Sequence, residues 1–126
     1  MSCEQLYIGN YDKYIGKIDE LKSLQNSVIL FFCGSTEEST GDSWCPDCRD
    51  AEPFIEKGME LCSNLVFALV EVGYKDEWKS TENKFRCDSD LKLTEIPTLI
   101  NLKKKNRLIG NQCTDSNLIN EFFLNI

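Results

Sequence analysis

Two cysteines separated by two residues, Cys45 and Cys48, form the pair in this 126-residue chain whose spacing best suits covalent chemistry. They stand in the segment Trp44-Cys45-Pro46-Asp47-Cys48, which follows an apolar run and a loop and opens a predicted helix. Cysteines at this spacing in a first helical turn can close a disulfide with little backbone movement. The unpaired N–H groups and the dipole of the helix stabilise a thiolate, so we expect Cys45 to titrate below about 8.5. Cys48 is expected to be more enclosed and to stay a thiol until it is needed, and Pro46 suits a first turn that loses no N–H partner.

Two other interpretations of this pair stay open, namely two core cysteines of a helix and half of a zinc site. Zinc favours four ligands, whereas the chain has no histidine and no second close pair of cysteines, so we expect no metal. The absence of histidine also excludes Ser-His-Asp and Cys-His catalysis. The other five cysteines are scattered, and we expect them to be buried or incidental thiols: Cys3, Cys33, Cys62, Cys87 and Cys113.

The hydrophobic pattern predicts the elements that must position the cysteine pair. Residues 27–33 form a continuous apolar run, typical of a central strand buried on both faces, and residues 34–43 have the composition of a loop. An amphipathic helix is predicted over about 45–63, with Pro53 inside it. Because helices between buried strands force parallel pairing, we expect an α/β protein with a four- or five-stranded mixed sheet and helices on both faces. The other predicted elements are a helix over 11–24 capped by Asn10, a strand over 65–72, a helical crossover over 75–90, a hairpin of strands 98–102 and 107–110, and a helix over 115–125.

The segment W-C-P-D-C resembles the W-C-G-P-C active site of thioredoxin, and the chain is more closely similar to small cytosolic thioredoxin-related proteins that carry W-C-P-D-C. The similarity extends over most of the chain. It includes the segments F-F-C-G-S, A-E-P, V-G-Y-K-D-E-W-K, N-K-F-R and L-T-E-I-P-T-L. This resemblance implies a thioredoxin fold, with a central mixed sheet flanked by helices, in a single domain over residues 1–126.

The resemblance also implies roles for residues outside the cysteine pair. Pro97 matches the cis-proline that packs beside the active-site disulfide in the family. Ile96, which precedes it, would offer its backbone to the substrate in a short β-like pairing, and Trp44 would be a further substrate contact. Pro53 matches the proline that kinks the active-site helix in the family.

One departure from ordinary thioredoxins concerns proton transfer. Thioredoxins carry a buried aspartate on the strand before the motif, where it relays a proton for the second cysteine. The corresponding stretch here, 29–32, has no acid. Asp47, inside the motif, is the nearest carboxylate along the chain. Asp47 either takes part in the chemistry, by transferring a proton or tuning the cysteine pKa, or only satisfies the helix dipole, and these alternatives stay open.

Net charge and hydropathy indicate where in the cell the protein acts and which classes of partner it can bind. The net charge is −7, which argues against nucleic acid, and −6 of it falls between Glu37 and Glu60. The longest apolar runs are too short to cross a bilayer. The first residues lack the basic start and apolar stretch of a signal peptide. We therefore expect a cytoplasmic monomer with no membrane partner. The acids between Glu37 and Glu60 that carry this charge are Glu37, Glu38, Asp42, Asp47, Asp50, Glu52, Glu56 and Glu60.

These observations predict a cytosolic thiol–disulfide oxidoreductase. Cys45 would be the nucleophile and Cys48 the resolving cysteine, and the two would alternate between a dithiol and a redox disulfide. In the resembling family, cystine and selected protein disulfides are substrates, NADPH-dependent thioredoxin reductase restores the dithiol, and no cofactor is bound. Peroxidase activity is a further expectation. The alternative is a redox-sensing binding or regulatory module on the same scaffold.

Overall fold

The computed structural model describes residues 3–126 and contains one five-stranded sheet with helices on both faces. Met1 and Ser2, which begin the segment used to argue against a signal peptide, lie outside the described residues. The strands are β1 (Cys3–Ile8), β2 (Ser27–Cys33), β3 (Leu65–Glu71), β4 (Thr98–Asn101) and β5 (Arg107–Ile109). The helices are α1 (Tyr11–Ser23), α2 (Pro46–Met59), α3 (Lys75–Lys79), α4 (Lys84–Cys87), a 3₁₀ helix (Gly110–Thr114) and α5 (Ser116–Leu124).

Strand β2 lies at the centre of the sheet, whose order is β1-β3-β2-β4-β5. It pairs in parallel with β3 and antiparallel with β4, and every residue from Val28 to Cys33 is buried. A strand covered on both faces has no polar side, which explains the continuous apolar run. The prediction of a central strand over 27–33 is confirmed, as is the antiparallel hairpin of β4 and β5.

The hydrophobic pattern predicted the other four strands of the sheet but did not single out β1. Strand β1 runs parallel to β3 at one end of the sheet, and Cys3, Glu4, Gln5 and Tyr7 are exposed. An edge strand with few buried side chains carries little hydrophobic signal, because most of its residues face solvent.

The two faces of the sheet are covered by different helices. On one face, Tyr14 of α1, Phe32 of β2 and Phe85 of α4 form an aromatic cluster with ring centroids 5.8–6.0 Å apart. On the other face, α2 packs against α5 and the 3₁₀ helix. Gly58 permits this packing, because a Cβ there would overlap the ring of Phe123.

The helix ends follow standard capping chemistry. The side chain of Asn10 accepts a hydrogen bond from the N–H of Lys13 at 2.9 Å, as predicted for α1. Asp115 caps α5 by accepting from the N–H groups of Asn117 and Leu118.

Helix α2 is shorter than predicted. It ends at Met59, and Leu61 and Cys62 donate backbone hydrogen bonds three residues back, to Gly58 and Met59, in a tightened final turn. Cys62 continues the apolar spacing of the helix, and a helix end predicted from that spacing, at about residue 63, is wrong. Cys62 is nevertheless buried, and its thiol donates to the carbonyl of Phe123 at 3.2 Å.

Candidate active site

The loop between β2 and α2 delivers Cys45 to the helix N-terminus. Thr36 and Ser43 pair across the loop in an isolated antiparallel bridge. The Ser43 hydroxyl donates to the carbonyl of Gly34 at 2.7 Å and accepts from the N–H of Cys45 at 3.2 Å. One buried hydroxyl thus connects the end of the central strand to the first cysteine of the motif.

Trp44 is held by a close approach to the backbone. Its indole N–H donates to the carbonyl of Gly73 at 2.8 Å, and its backbone N–H donates to the carbonyl of Ser35 at 3.2 Å. A Cβ at Gly34 would lie 2.6 Å from Nε1 of Trp44, so this position has no room for a side chain. The glycine of F-F-C-G-S therefore serves the placement of the tryptophan.

Cys45 is the N-cap residue of α2, with Pro46 at the first helical position. Its side chain makes no capping hydrogen bond and is 6% exposed. The pKa of Cys45 is lowered to about 7 by the hydrogen bond from the Cys48 thiol, helped by the backbone N–H groups of Cys48 and Asp47 and opposed by burial. The location at a helix N-terminus and the direction of the pKa shift agree with the sequence prediction.

Cys48 lies one turn further into α2 and is 1% exposed. Its hydrogen bond to Cys45, together with burial, raises the pKa of the Cys48 thiol far above its ordinary value, and the backbone N–H of Gly34 opposes that shift. The two sulfurs are chemically unequal, because Cys45 caps the helix whereas Cys48 is enclosed one turn inside it. This is the arrangement that a nucleophile and a resolving thiol require.

Asp47 is exposed beside Cys45, and its carboxylate acts to raise the pKa of the Cys45 thiol. The charge therefore opposes the thiolate, whereas the N–H group of the same residue supports it. Asp47 thus acts on the Cys45 pKa in both directions, upward through its carboxylate and downward through its backbone N–H. A role of Asp47 as proton relay stays a prediction.

Glu71 is a buried carboxylate that the sequence analysis did not single out. It is 5% exposed at the end of β3 and lies in register with Cys33 of β2. It accepts hydrogen bonds from the N–H of Thr36 at 3.2 Å and from the Thr36 hydroxyl at 2.9 Å. The signal was the acid in the apolar run L-V-F-A-L-V-E-V, where a charge at a strand end invites a polar partner.

The peptide bond between Ile96 and Pro97 is cis, as the resemblance implied. Both residues are buried immediately before β4, and the Pro97 carbonyl accepts from the N–H of Gly110 at 2.8 Å. Gly110 has a φ of +59° and opens the 3₁₀ helix that packs against α2. The contacts of Ile96 and Pro97 with substrate stay predictions.

The five remaining cysteines fall into two groups. Cys33, Cys62 and Cys113 are buried, and Cys3 and Cys87 are exposed. Burial raises the pKa of Cys113 to about 12 and raises that of Cys33 further.

Across residues 3–126, no three His, Cys, Asp or Glu side chains are grouped so that they could hold a metal ion. In the same range, none of the helices combines the length and apolar character needed to cross a bilayer.

The sheet order, the two helical layers and a cysteine pair at a helix N-terminus define a thioredoxin-fold protein, and solved structures agree. Thioredoxin O1 of Arabidopsis thaliana has a TM-score of 0.64 at 16% identity, over 98% of this chain and 97% of that one. Fasciola hepatica thioredoxin has a TM-score of 0.58 at 18% identity, over 95% and 97%. At these identities the likeness shows the fold alone.

Within that class, a family model described as thioredoxin domain-containing protein 17-like, thioredoxin domain, matches residues 8–125. The chain belongs to this family. Thioredoxin domain-containing protein 17 of Homo sapiens is 30% identical over 121 residues, which cover 95% of this chain and 94% of the relative. The Mus musculus protein of that name is 37% identical over 98 residues, 77% of each chain. Family and fold together support a thioredoxin-type redox protein.

Proposed function

We propose that the chain is a cytoplasmic thiol–disulfide oxidoreductase that reduces cystine-like small molecules and selected protein disulfides. The observation that carries the proposal is the placement of two cysteines at one helix N-terminus, with Cys45 as the N-cap of α2 and Cys48 buried one turn inside it. The pKa of Cys45 is lowered to about 7, whereas that of Cys48 is raised. A thiol with a pKa near 7 is about half ionised at neutral pH, and the thiolate is the attacking species in disulfide exchange.

The proposed reaction has two displacement steps. The Cys45 thiolate attacks one sulfur of the substrate disulfide, a mixed disulfide forms, and the other substrate sulfur leaves as a thiolate. Cys48 then loses its proton and attacks Sγ of Cys45, which releases the second substrate sulfur. The substrate gains two electrons from the pair, one proton from Cys48 and one proton from solvent, and Cys45 and Cys48 are left as a disulfide.

The substrate would lie against Trp44, Ile96 and Pro97. Trp44 is half-buried next to Cys45 and is fixed by two hydrogen bonds, so it offers a rigid apolar wall at the nucleophile. Thioredoxin reductase is the proposed electron donor, which regenerates the dithiol with NADPH, and the chain itself needs no bound cofactor.

A coupled assay tests this function directly. The reduced chain is mixed with thioredoxin reductase, NADPH and cystine, and NADPH consumption is followed. We expect consumption to depend on the chain, and the Cys45→Ser and Cys48→Ser variants to lack steady turnover. Absence of consumption by the wild-type chain, with reversible oxidation of Cys45 and Cys48 retained, would instead favour the redox-sensing binding module.

The roles of the two cysteines are tested by trapping. The Cys48→Ser variant keeps the attacking thiol and lacks the resolving one, so it should accumulate a mixed disulfide with substrate that mass spectrometry detects. Cys45→Ser should trap none at this site. Trapping by Cys45→Ser and not by Cys48→Ser would show that the roles are reversed.

A further inference from the structure

A concave surface lies on the α2 face of the sheet, beside the acidic side of that helix. It is a groove of about 480 Å³, a volume in the range of ligand pockets. Phe31, Phe67 and Leu69 form its floor, and Ile55 and Met59 of α2 form one apolar wall. Cys3 and Gln5 of β1 line the outer side of the floor. Trp44, Cys45, Cys48 and Pro97 do not line it, so its occupant need not be a disulfide substrate.

The rim of this groove carries one sign of charge. Glu52 and Glu56 of α2 and Glu60, the C-cap residue of that helix, line the groove four residues apart, so they rise on one side of the helix about 6 Å from each other. No lysine or arginine lines the groove. Within residues 3–126, the ion pair present is Lys17–Glu20 in α1, so these three carboxylates have no cationic partner there.

Like charges one turn apart weaken a helix. Burial of part of its surface, with the charges of Asp42 and Glu56, raises the pKa of the Glu52 carboxyl. The chain therefore places like charges beside an apolar floor, and none of the three forms an ion pair within the described residues. A ligand that carries apolar groups and cations at matching intervals would relieve the repulsion and cover the floor at once.

The spacing of the strands beneath the groove indicates that such a ligand can be a helix. Strands β2 and β1 flank β3, so they lie about 9.6 Å apart, and helices pack side by side at about 8–10 Å. A helix laid over β1 and β3, alongside α2, would occupy the groove at ordinary packing distance. Basic residues at i, i+4 and i+8 on such a helix repeat at the spacing of the three glutamates.

We propose that this groove, formed by α2, β3 and β1, docks a basic amphipathic helix of a partner protein, with apolar side chains on the floor and basic side chains against Glu52, Glu56 and Glu60. This mode is the helix-in-groove recognition used by many protein pairs. The proposal does not depend on the chemistry of Cys45, and it is measured by binding alone.

The experiment uses the full-length reduced chain and a synthetic amphipathic peptide of 15 residues. The peptide carries leucines at i, i+3 and i+7 on one side of the helix. Three lysines, spaced four residues apart, lie on the neighbouring side. In the control peptide, glutamates replace the lysines. We expect saturable binding of one lysine peptide per chain, a gain in peptide helicity by circular dichroism, and protection of Cys3 from alkylation. The glutamate peptide should not bind.

Two variants of equal charge separate the groove from the net charge. Neutralising Glu52, Glu56 and Glu60 to Gln should weaken binding about tenfold at low salt, and this variant should fold at least as stably because repulsion is removed. Neutralising the exposed Asp19 and Asp90 to Asn and Glu82 to Gln, none of which lines the groove, removes the same charge elsewhere and should change binding much less. Gln5→Trp, which fills the groove from β1, should abolish binding.

Several results would overturn the proposal: no saturable binding of the lysine peptide, equal weakening by both triple variants, or binding that Gln5→Trp leaves intact. Binding without a gain in helicity would show that the groove takes an extended segment and not a helix. None of these outcomes bears on disulfide reduction, which the coupled assay measures separately.

Discussion

Cys33 and Glu71 lie opposite each other at the C-terminal ends of the neighbouring parallel strands β2 and β3, and the active-site loop follows Cys33. Burial, followed by the Glu71 charge, raises the pKa of the Cys33 thiol well above its ordinary value. The Glu71 carboxylate accepts two hydrogen bonds from Thr36, the loop residue that pairs with Ser43. One buried acid therefore fixes the first turn of the loop that leads to Cys45.

Replacing Glu71 tests this anchoring role. Glu71→Ala leaves the Thr36 N–H and hydroxyl without their acceptor, and we expect the free energy of unfolding to fall by about 1–3 kcal/mol. Glu71→Gln keeps a carbonyl oxygen at the same place, so it should retain most of that stability. Denaturant unfolding measures both. Equal losses in the two variants would show that the charge, and not the hydrogen-bond acceptor, is what the loop requires.

The reactivity of Cys45 should follow its lowered pKa. The alkylation rate of the reduced chain should rise about tenfold per pH unit below 7 and level off above it, because the thiolate is the reacting form and the pKa is about 7. In a Cys48→Ala variant the midpoint should move up, since the hydrogen bond from Cys48 is the largest cause of the lowering.

Cys48→Ser is the matched control, because its hydroxyl can still donate to the Cys45 sulfur and should hold the midpoint closer to 7. Mass spectrometry of alkylated peptides assigns the rate to Cys45. A midpoint that is the same in all three proteins would mean that the helix N–H groups alone set the pKa.

Two glycines in helices offer an opposed pair of stability tests. Gly58→Ala places a methyl against the ring of the buried Phe123, and we expect a loss of about 1–3 kcal/mol in the free energy of unfolding. Gly16→Ala in α1 meets nothing within 4 Å, so alanine should stabilise by about 0.5–1 kcal/mol through helix propensity. Stabilisation by both substitutions would show that α5 yields easily at this contact.

The sequence allowed the central strand and the motif helix to be predicted, because both carry strong local signals. Val28 to Cys33 are apolar without interruption, and Cys45, Pro46 and Cys48 mark a helix start. The end of α2 was misplaced, since apolar spacing continues to Cys62 after the helical hydrogen bonds stop at Met59. Packing of Cys62 against α5 decides that burial, and packing is not visible in a local pattern.

The parts of the site that the sequence did not reveal depend on contacts between distant segments. Glu71 meets Thr36 across 35 positions, and Trp44 meets Gly73 across 29. Neither pairing has a local signature. The cis bond at Pro97 was predicted only through the resemblance, because most X–Pro bonds in folded proteins are trans.

The acids of the active-site loop should disfavour anionic substrates. Glu37, Glu38 and Asp42 are exposed just before Cys45, and the loop is closed by a hydrogen bond from the Glu37 N–H to the Asp42 carbonyl at 2.8 Å. At about 10–15 Å from the sulfur and an effective dielectric near 40–80, each charge disfavours an incoming anion by about 0.3–0.8 kcal/mol before screening. Three such charges amount to about tenfold in rate, so oxidised glutathione should react more slowly than cystine, which is net neutral.

The cleft beside Trp44 also contains Lys75 and Lys79, together with Asp76 and Glu37, so the local field is mixed and the loop acids must be tested by substitution. Glu37→Gln with Glu38→Gln and Asp42→Asn should speed the reduction of oxidised glutathione at low salt and leave cystine nearly unchanged, as followed by NADPH consumption. A control that neutralises the exposed Glu4, Asp19 and Glu121 removes the same charge outside the loop and should have little effect. Equal changes for both disulfides, or a glutathione rate that does not respond to salt, would show that the loop charges only solvate the surface and do not steer substrates.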